Sequence, residues 1–232
     1  ATFSSGMATV EAARSIIKQA CGRAAKIWEI AEDAVTWEDG QIKPAGDNAG
    51  KFQPMTLTDV AKVAGKTGGS IVGVGAITAQ GAAPSFGVHI ADTEVDPETG
   101  KLTVTRYTVI QDAGKAIHPA YVEGQYQGGA AQGIGWALNE EYIYDDKGRL
   151  QNAGFLDYRI PVASDLPMIE TIIVEVPNPR HPYGVRGIGE TAIVPPMAAV
   201  NASAARATGV RMFELPLSPP KVLKAMKEAK TA

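Results

Sequence analysis

A carboxylate closes the stretch Gly184-Val185-Arg186-Gly187-Ile188-Gly189-Glu190, and Thr191-Ala192-Ile193-Val194-Pro195-Pro196 leads on into an alanine-rich segment. The glycines let the backbone approach a neighbour closely or take positive φ. The two prolines suit the first turn of a helix, where an amide hydrogen is not needed. A carboxylate just ahead of that turn lies at the positive end of the helix dipole and stays ionised, as a general base must. The same position also suits an acidic residue that does no more than start a helix. The stretch by itself leaves both roles open.

Other glycine patterns do not build a nucleotide site. Gly73-Val74-Gly75 falls within an expected strand, Gly128 to Gly135 within an expected helix, and Gly184, Gly187 and Gly189 are spaced in the wrong order. None opens a helix after a strand as a dinucleotide fingerprint does, and there is no P-loop lysine pattern. No G-x-S-x-G is present, and His89, His118 and His181 have no visible catalytic partner. His89 lies between apolar neighbours and reads as a packed histidine, with no companion at metal-ligand spacing. Cys21, the single cysteine, excludes an intrachain disulfide and a cysteine-built metal site.

The elements that must position these residues are legible in outline. Thr2 to Gly6 read as a loop that Ser5 or Gly6 closes as a cap, and residues 7–31 as a helix. A chain opening in this way is expected to be a piece of a longer polypeptide or one subunit of a split one. Asp39-Gly40 marks a hairpin between Trp37 and Ile42, and residues 56–64 a short capped helix. Residues 70–79, 86–95 and 101–111 read as strands, the last two as an antiparallel hairpin around the turn Asp96 to Gly100. A helix starts at Pro119 and runs to Glu141 despite five internal glycines, each costing about 1 kcal/mol against alanine, so something must lie close against it. Residues 142–144, 155–160, 170–176 and 212–216 read as strands or extended segments. Residues 196–208 and the segment after Pro219-Pro220 read as helices, the first closed by Gly209. The whole is an α+β fold with mixed and antiparallel sheets, divided into a small α+β segment, residues 1–66, and a larger domain, residues 67–232.

The chain has 232 residues, 45% of them hydrophobic and 20% charged, as in an ordinary globular protein with a real core. A net charge of −3 gives no electrostatic footprint for nucleic acid. No basic region followed by an apolar run marks a signal peptide, and no stretch approaches a membrane span, so a cytoplasmic location is expected, with the periplasm as the alternative.

Asp112-Ala113-Gly114, His118-Pro119, the segment GQYQGGAAQGIGWALNEE and the later GVRGIGETAIVPPMAAVNA together resemble the molybdenum hydroxylases, the xanthine dehydrogenase and aldehyde oxidase family. The resemblance is to the C-terminal half of their large molybdopterin-binding subunit. It implies that Glu190 is the catalytic general base, taking a proton from a molybdenum-held hydroxide that attacks an electron-poor carbon. It implies that Gln132 contacts the molybdopterin, with Gly133 beside it, and that the glycine-rich helix is crowded by the cofactor. Thr2 and Ser4 match the tail of a loop that wraps the pterin dinucleotide. The activity implied is a water-derived oxidative hydroxylation of an aldehyde or N-heterocycle by a molybdenum-dependent oxidoreductase; the alternative is a non-catalytic half that supports assembly. No metal ligand from this chain is expected.

The family's N-terminal half, with its own cofactor loop, is absent from these residues, as are iron–sulfur and flavin modules. The expected cofactor is molybdopterin with molybdenum, as the cytosine dinucleotide, with [2Fe-2S] and FAD on partner chains. The expected partners are a chain or segment carrying the N-terminal half, an iron–sulfur subunit, an FAD subunit and a small-molecule substrate. A large exposed apolar patch is expected wherever such a partner is missing. Asn178 to Tyr183 precede the Glu190 loop, either lining its entrance or forming a rigid surface loop.

Overall fold

The computed structural model describes residues 2–78, 83–181 and 183–231, with side chains from Ser4 onward. The chain divides into two units, Ala1–Gly81 and Ala82–Ala232.

In the first unit, helix α1 (Thr2–Trp28) begins five residues earlier than expected. The segment read as a loop holds no proline, and its one glycine, Gly6, interrupts a helix long enough to absorb a penalty of about 1 kcal/mol. The Thr9 hydroxyl donates to the Ser5 carbonyl within this first stretch, at 2.8 Å. Strands β1 (Val35–Glu38) and β2 (Gln41–Pro44) form the expected hairpin, with Asp39 at φ 50° and Gly40 at φ 75°. Helix α2 (Leu57–Lys62) carries a capping box between Thr56 and Asp59, and α3 (Ala64–Thr67) follows. Ala20, Ala24, Trp28, Ile42 and Val60 form the core of this unit. Of the segment 70–79, read from sequence as a strand, residue 79 lies outside the described residues, and residues 70–78 pair with no other strand among the described residues. They lie against α1 instead: a Cβ on Gly73 would stand 2.3 Å from the Ala12 carbonyl oxygen, and one on Gly75 2.0 Å from that of Ala8. That packing ties the segment to the first unit, so the division falls after residue 81 rather than after residue 66.

The second unit is built on a three-stranded sheet of order β3-β4-β5, with β3 (Gly87–Val95), β4 (Leu102–Asp112) and β5 (Ile169–Val174). β3 and β4 are the expected antiparallel hairpin. β5 runs parallel to β4, because helix α4 (Pro119–Leu138) lies between them and returns the chain to the same end of the sheet. Helix α4 begins where expected: Pro119 stands in its first turn and the His118 ring accepts from the Tyr121 amide. It ends three residues earlier than expected. Helix α5 (Pro195–Thr208) is closed by Gly209 at φ 76°, and α6 (Pro219–Thr231) completes the unit. Tyr107 and Val109 of β4, Tyr126 and Ile134 of α4, Val200 of α5 and Val222 of α6 share one core.

Residues 142–144, 155–160 and 212–216 are not strands. Tyr144 makes only an isolated bridge with Leu150, and among the described residues no strand pairs with the other two segments. Alternation without a partner strand leaves side chains in water: Phe155 is 99% and Leu156 94% exposed. The outer face of the sheet is likewise uncovered, with Val88, Ile90 and Ile172 exposed.

Candidate functional site

Helix α4 divides its residues between two faces. Val122, Tyr126, Ala130, Gly133, Ile134 and Ala137 are buried, while Gln125, Gly128, Gln132 and Trp136 are exposed at three- and four-residue spacing. The glycines of this helix serve different ends. A Cβ on Gly129 would lie 2.8 Å from that of Ala192, and one on Gly133 2.7 Å from Pro196 Cγ and 2.8 Å from the Ile193 carbonyl oxygen. One on Gly135 would crowd Pro161 at 2.7 Å. Three of the five glycines therefore permit close packing within the protein, and Gly133, expected at the cofactor, faces Pro196 instead. Gly124 and Gly128 meet nothing within 4 Å and remain open.

The segment after the Gly184–Gly189 loop comes down beside the open face. Thr191–Ile193 form a single 3-10 turn leading into α5, with Glu190 just before it. The Glu190 side chain makes no capping hydrogen bond and is exposed, so it is not engaged in starting that turn. Gln125, Gly128, Gly129, Gln132 and Trp136 from α4, with Gly189, Glu190, Ile193 and Val194 opposite, enclose a cleft of about 540 Å³. That volume is in the range of small-molecule sites. Gln132 and Glu190 thus share one cleft.

Two buried polar anchors, neither given an anchoring role from sequence, hold the walls of this cleft. Arg186 Nε lies 2.9 Å from Asp112 Oδ2, with the two side chains only 13% and 9% exposed. Arg186 also donates to the carbonyls of Val176 and Pro84, at 3.0 and 2.9 Å. Asp112 Oδ1 accepts from the amides of Gly114 and Val176 at 2.8 and 3.0 Å. This pins the Gly184–Gly189 loop to the end of β4. Gly114, at φ 66°, stands so close to the loop that a Cβ there would be 2.2 Å from the Gly184 carbonyl oxygen. The second anchor is Gln111, 1% exposed, whose amide donates to the hydroxyls of Ser85 and Thr191. A charged residue among glycines and a polar residue inside an apolar strand were the signals available for both.

Asn178 to Tyr183 do not line the cleft. Asn178 and His181 are 4% exposed, and the turn closes on itself through the Gly184 amide to the His181 carbonyl at 2.8 Å; Pro182 lies outside the described residues. His89 is half-buried with Nδ1 2.9 Å from the Tyr107 hydroxyl, and burial pushes its pKa down. Ser4 lies exposed in the first turn of α1, in the other unit from Gln132 and Glu190; Thr2 opens that helix, and its side chain is outside the described residues. Among the described residues no group of three or more His, Cys, Asp or Glu side chains could hold a metal ion, and no helix is long and apolar enough to cross a membrane.

Residues 1–167 match the molybdopterin cofactor-binding domain family. The chain belongs to that family. It is 38% identical over 169 residues to the xanthine dehydrogenase molybdenum-binding subunit of Escherichia coli O157:H7, covering 71% of this chain and 22% of that protein. Against the carbon monoxide dehydrogenase large chain of Hydrogenophaga pseudoflava it is 30% identical over 231 residues, 96% of this chain and 28% of the relative. The crystal structure of quinoline 2-oxidoreductase from Pseudomonas putida 86 superposes on 92% of this chain and 28% of its own, at 32% identity and a TM-score of 0.72. The molybdopterin-domain chain therefore spans about a quarter of the length of the molybdenum hydroxylase subunits it matches.

Proposed function

We propose that this chain forms one wall of the active site of a molybdenum hydroxylase, with Glu190 as general base and Gln132 as a ligand of the molybdopterin. The observation that carries the proposal is the shared cleft, with Glu190 held free on one side and the Gln132 amide on the other. The residues suit the group. Neither Gln125 nor Gln132 is hydrogen-bonded to a protein group among the described residues, so their amides are free to donate to and accept from a pterin, and Gly128 leaves the helix surface bare between them. When bound, the molybdenum centre supplies the activated oxygen and the two-electron sink that hydroxylation needs. With that centre in place Glu190 would serve as the proton acceptor, its carboxylate standing at the cleft wall and making no capping hydrogen bond. Trp136 and Val194, both exposed, shield the cleft with apolar surface.

The substrate is a small aldehyde or N-heterocycle, the class spanned by relatives named for aldehyde, xanthine, nicotine and quinoline. Ser4 and Thr2 are proposed to meet the dinucleotide end of the cofactor, in the cytosine form. The remaining three quarters of such a subunit supplies the rest of the site and covers apolar residues such as Phe155 and Leu156; iron–sulfur and FAD subunits carry electrons away.

The test is Glu190→Gln in the assembled enzyme, screened by dye reduction with xanthine, quinoline, nicotine and benzaldehyde. Turnover should be lost while molybdenum content holds. Undiminished turnover would remove Glu190 as the base and favour a non-catalytic, assembly-supporting half.

A further inference from the structure

Gln111 is 1% exposed and touches β3, α4 and the 3-10 turn. It stands near the end of β4, opposite Gly87 of β3. Its side chain folds over that glycine: a Cβ on Gly87 would lie 3.1 Å from Gln111 Cγ and 3.3 Å from Oε1. Its carbonyl accepts from the Tyr126 hydroxyl of α4 at 3.3 Å. Its amide nitrogen donates to Ser85 Oγ at 3.3 Å and to Thr191 Oγ1. Thr191 directly follows Glu190.

Two buried polar atoms in this region have no partner of good geometry, Gln111 Oε1 and His89 Nε2. The Tyr107 hydroxyl engages His89 Nδ1 at 2.9 Å. A run of polar groups leads from Ser85 through the Gln111 amide to Thr191, the residue beside the carboxylate. An uncharged amide buried among strands is costly to keep unless every group it carries is used.

We propose that Gln111 is a positioning residue for Glu190, acting through the Thr191 hydroxyl to hold the start of the 3-10 turn and so the carboxylate at the cleft wall. The proposal rests on the reading of Glu190 as the general base. The turn has no other side-chain restraint at its first residue among the described residues, since Glu190 itself makes no cap.

The experiment compares Thr191→Val, Thr191→Ser, Gln111→Met and the double variant Gln111→Met/Thr191→Val in the assembled enzyme. Valine keeps the shape of threonine without its hydroxyl, and serine keeps the hydroxyl. Amide hydrogen exchange across residues 188–194 should quicken by roughly fivefold or more in Thr191→Val and Gln111→Met, the scale of losing one local hydrogen bond. Thr191→Ser should restore wild-type exchange. With whichever of xanthine, quinoline, nicotine or benzaldehyde the wild type oxidises, kcat should fall by about tenfold or more, since small misplacements of a reacting group are felt strongly. KM should change by less than about twofold, with unaltered molybdenum content. The double variant should be no worse than the weaker single one.

Wild-type exchange and kcat in Thr191→Val overturn the proposal, as does a double variant whose losses multiply. If Glu190→Gln stays active while Thr191→Val still loosens residues 188–194, the base assignment fails and the Gln111 tether stands as a restraint on the turn. If Glu190→Gln is dead and Thr191→Val is silent, only the tether fails.

Discussion

Removing the Arg186 side chain should do more damage than any substitution at the cleft surface. Arg186→Met keeps much of the aliphatic stem and deletes the guanidinium, which now meets Asp112 Oδ2 at 2.9 Å and two carbonyls at 3.0 and 2.9 Å. The Asp112 carboxylate, 9% exposed, is then left without its cation. Breaking a buried pair by removing one partner costs about 3–5 kcal/mol. Asp112 retains two backbone amides, at 2.8 and 3.0 Å, which sets the expectation near the lower end. For a chain of this size each kcal/mol moves Tm by about 2–4 °C, so a fall of about 6–12 °C is expected.

The assay is thermal unfolding followed by circular dichroism, on Arg186→Met, Asp112→Asn and the double variant. Asp112→Asn should be milder, because the asparagine oxygen still accepts from the Gly114 and Val176 amides and Arg186 keeps its two carbonyls. The double variant should lose less than the sum of the two singles, since the second change removes a group the first has stranded. A shift below about 2 °C for Arg186→Met, or strictly additive losses, would refute the view that this pair anchors the loop.

Gly133→Ala places a methyl 2.7 Å from Pro196 Cγ and 2.8 Å from the Ile193 carbonyl oxygen, so it should destabilise the fold by about 1–3 kcal/mol by chemical denaturation. Gly128→Ala meets nothing within 4 Å and should leave stability unchanged or raised by up to about 1 kcal/mol, yet lower the molybdenum content of the assembled enzyme measured by elemental analysis. Gly114→Ala, at φ 66° and 2.2 Å from a carbonyl oxygen, should cost several kcal/mol, on the order of 2–4, and displace the Glu190 loop, read as faster amide exchange over residues 184–190. His89 has its pKa pushed below the usual 6.5, chiefly by burial, so the unfolded chain takes up its proton first as pH falls. Stability is full above the unfolded value and declines from about pH 6.5 downward until the folded group titrates; His89→Asn should flatten that part of the unfolding free energy against pH.

The parts of the fold legible from sequence are those decided locally. Asp39-Gly40, the capped start of the helix after Thr56, Pro119 after His118 and Gly209 each encode their own turn or helix end, and each is where expected. What was not legible depends on partners distant in the chain. Residues 70–78 have the composition of a strand and two glycines suited to close approach, but the neighbour that Gly73 and Gly75 fit is α1, some sixty residues earlier, and a segment packed on a helix has no ladder to join. Residues 155–160 and 212–216 failed for the same reason: apolar composition without a strand to pair with. The parallel entry of β5 follows only once α4 is known to cross between β4 and β5.

The cleft itself divides along the same line. Glu190 and Gln132 stood out because motif and residue type coincide there, and the fold brings them together. Gly133 stood out on the same grounds and turned inward, because helix spacing puts it about 100° from Gln132, on the face that meets Pro196. A glycine motif on a helix is thus two messages interleaved: Gly129 and Gly133 pack against the 3-10 turn and the start of α5, and Gly124 and Gly128 lie on the open side. Gly128 lies open at the cleft wall while Gly133 is buried against Pro196, so Gly128→Ala and Gly133→Ala should separate cofactor loading from folding.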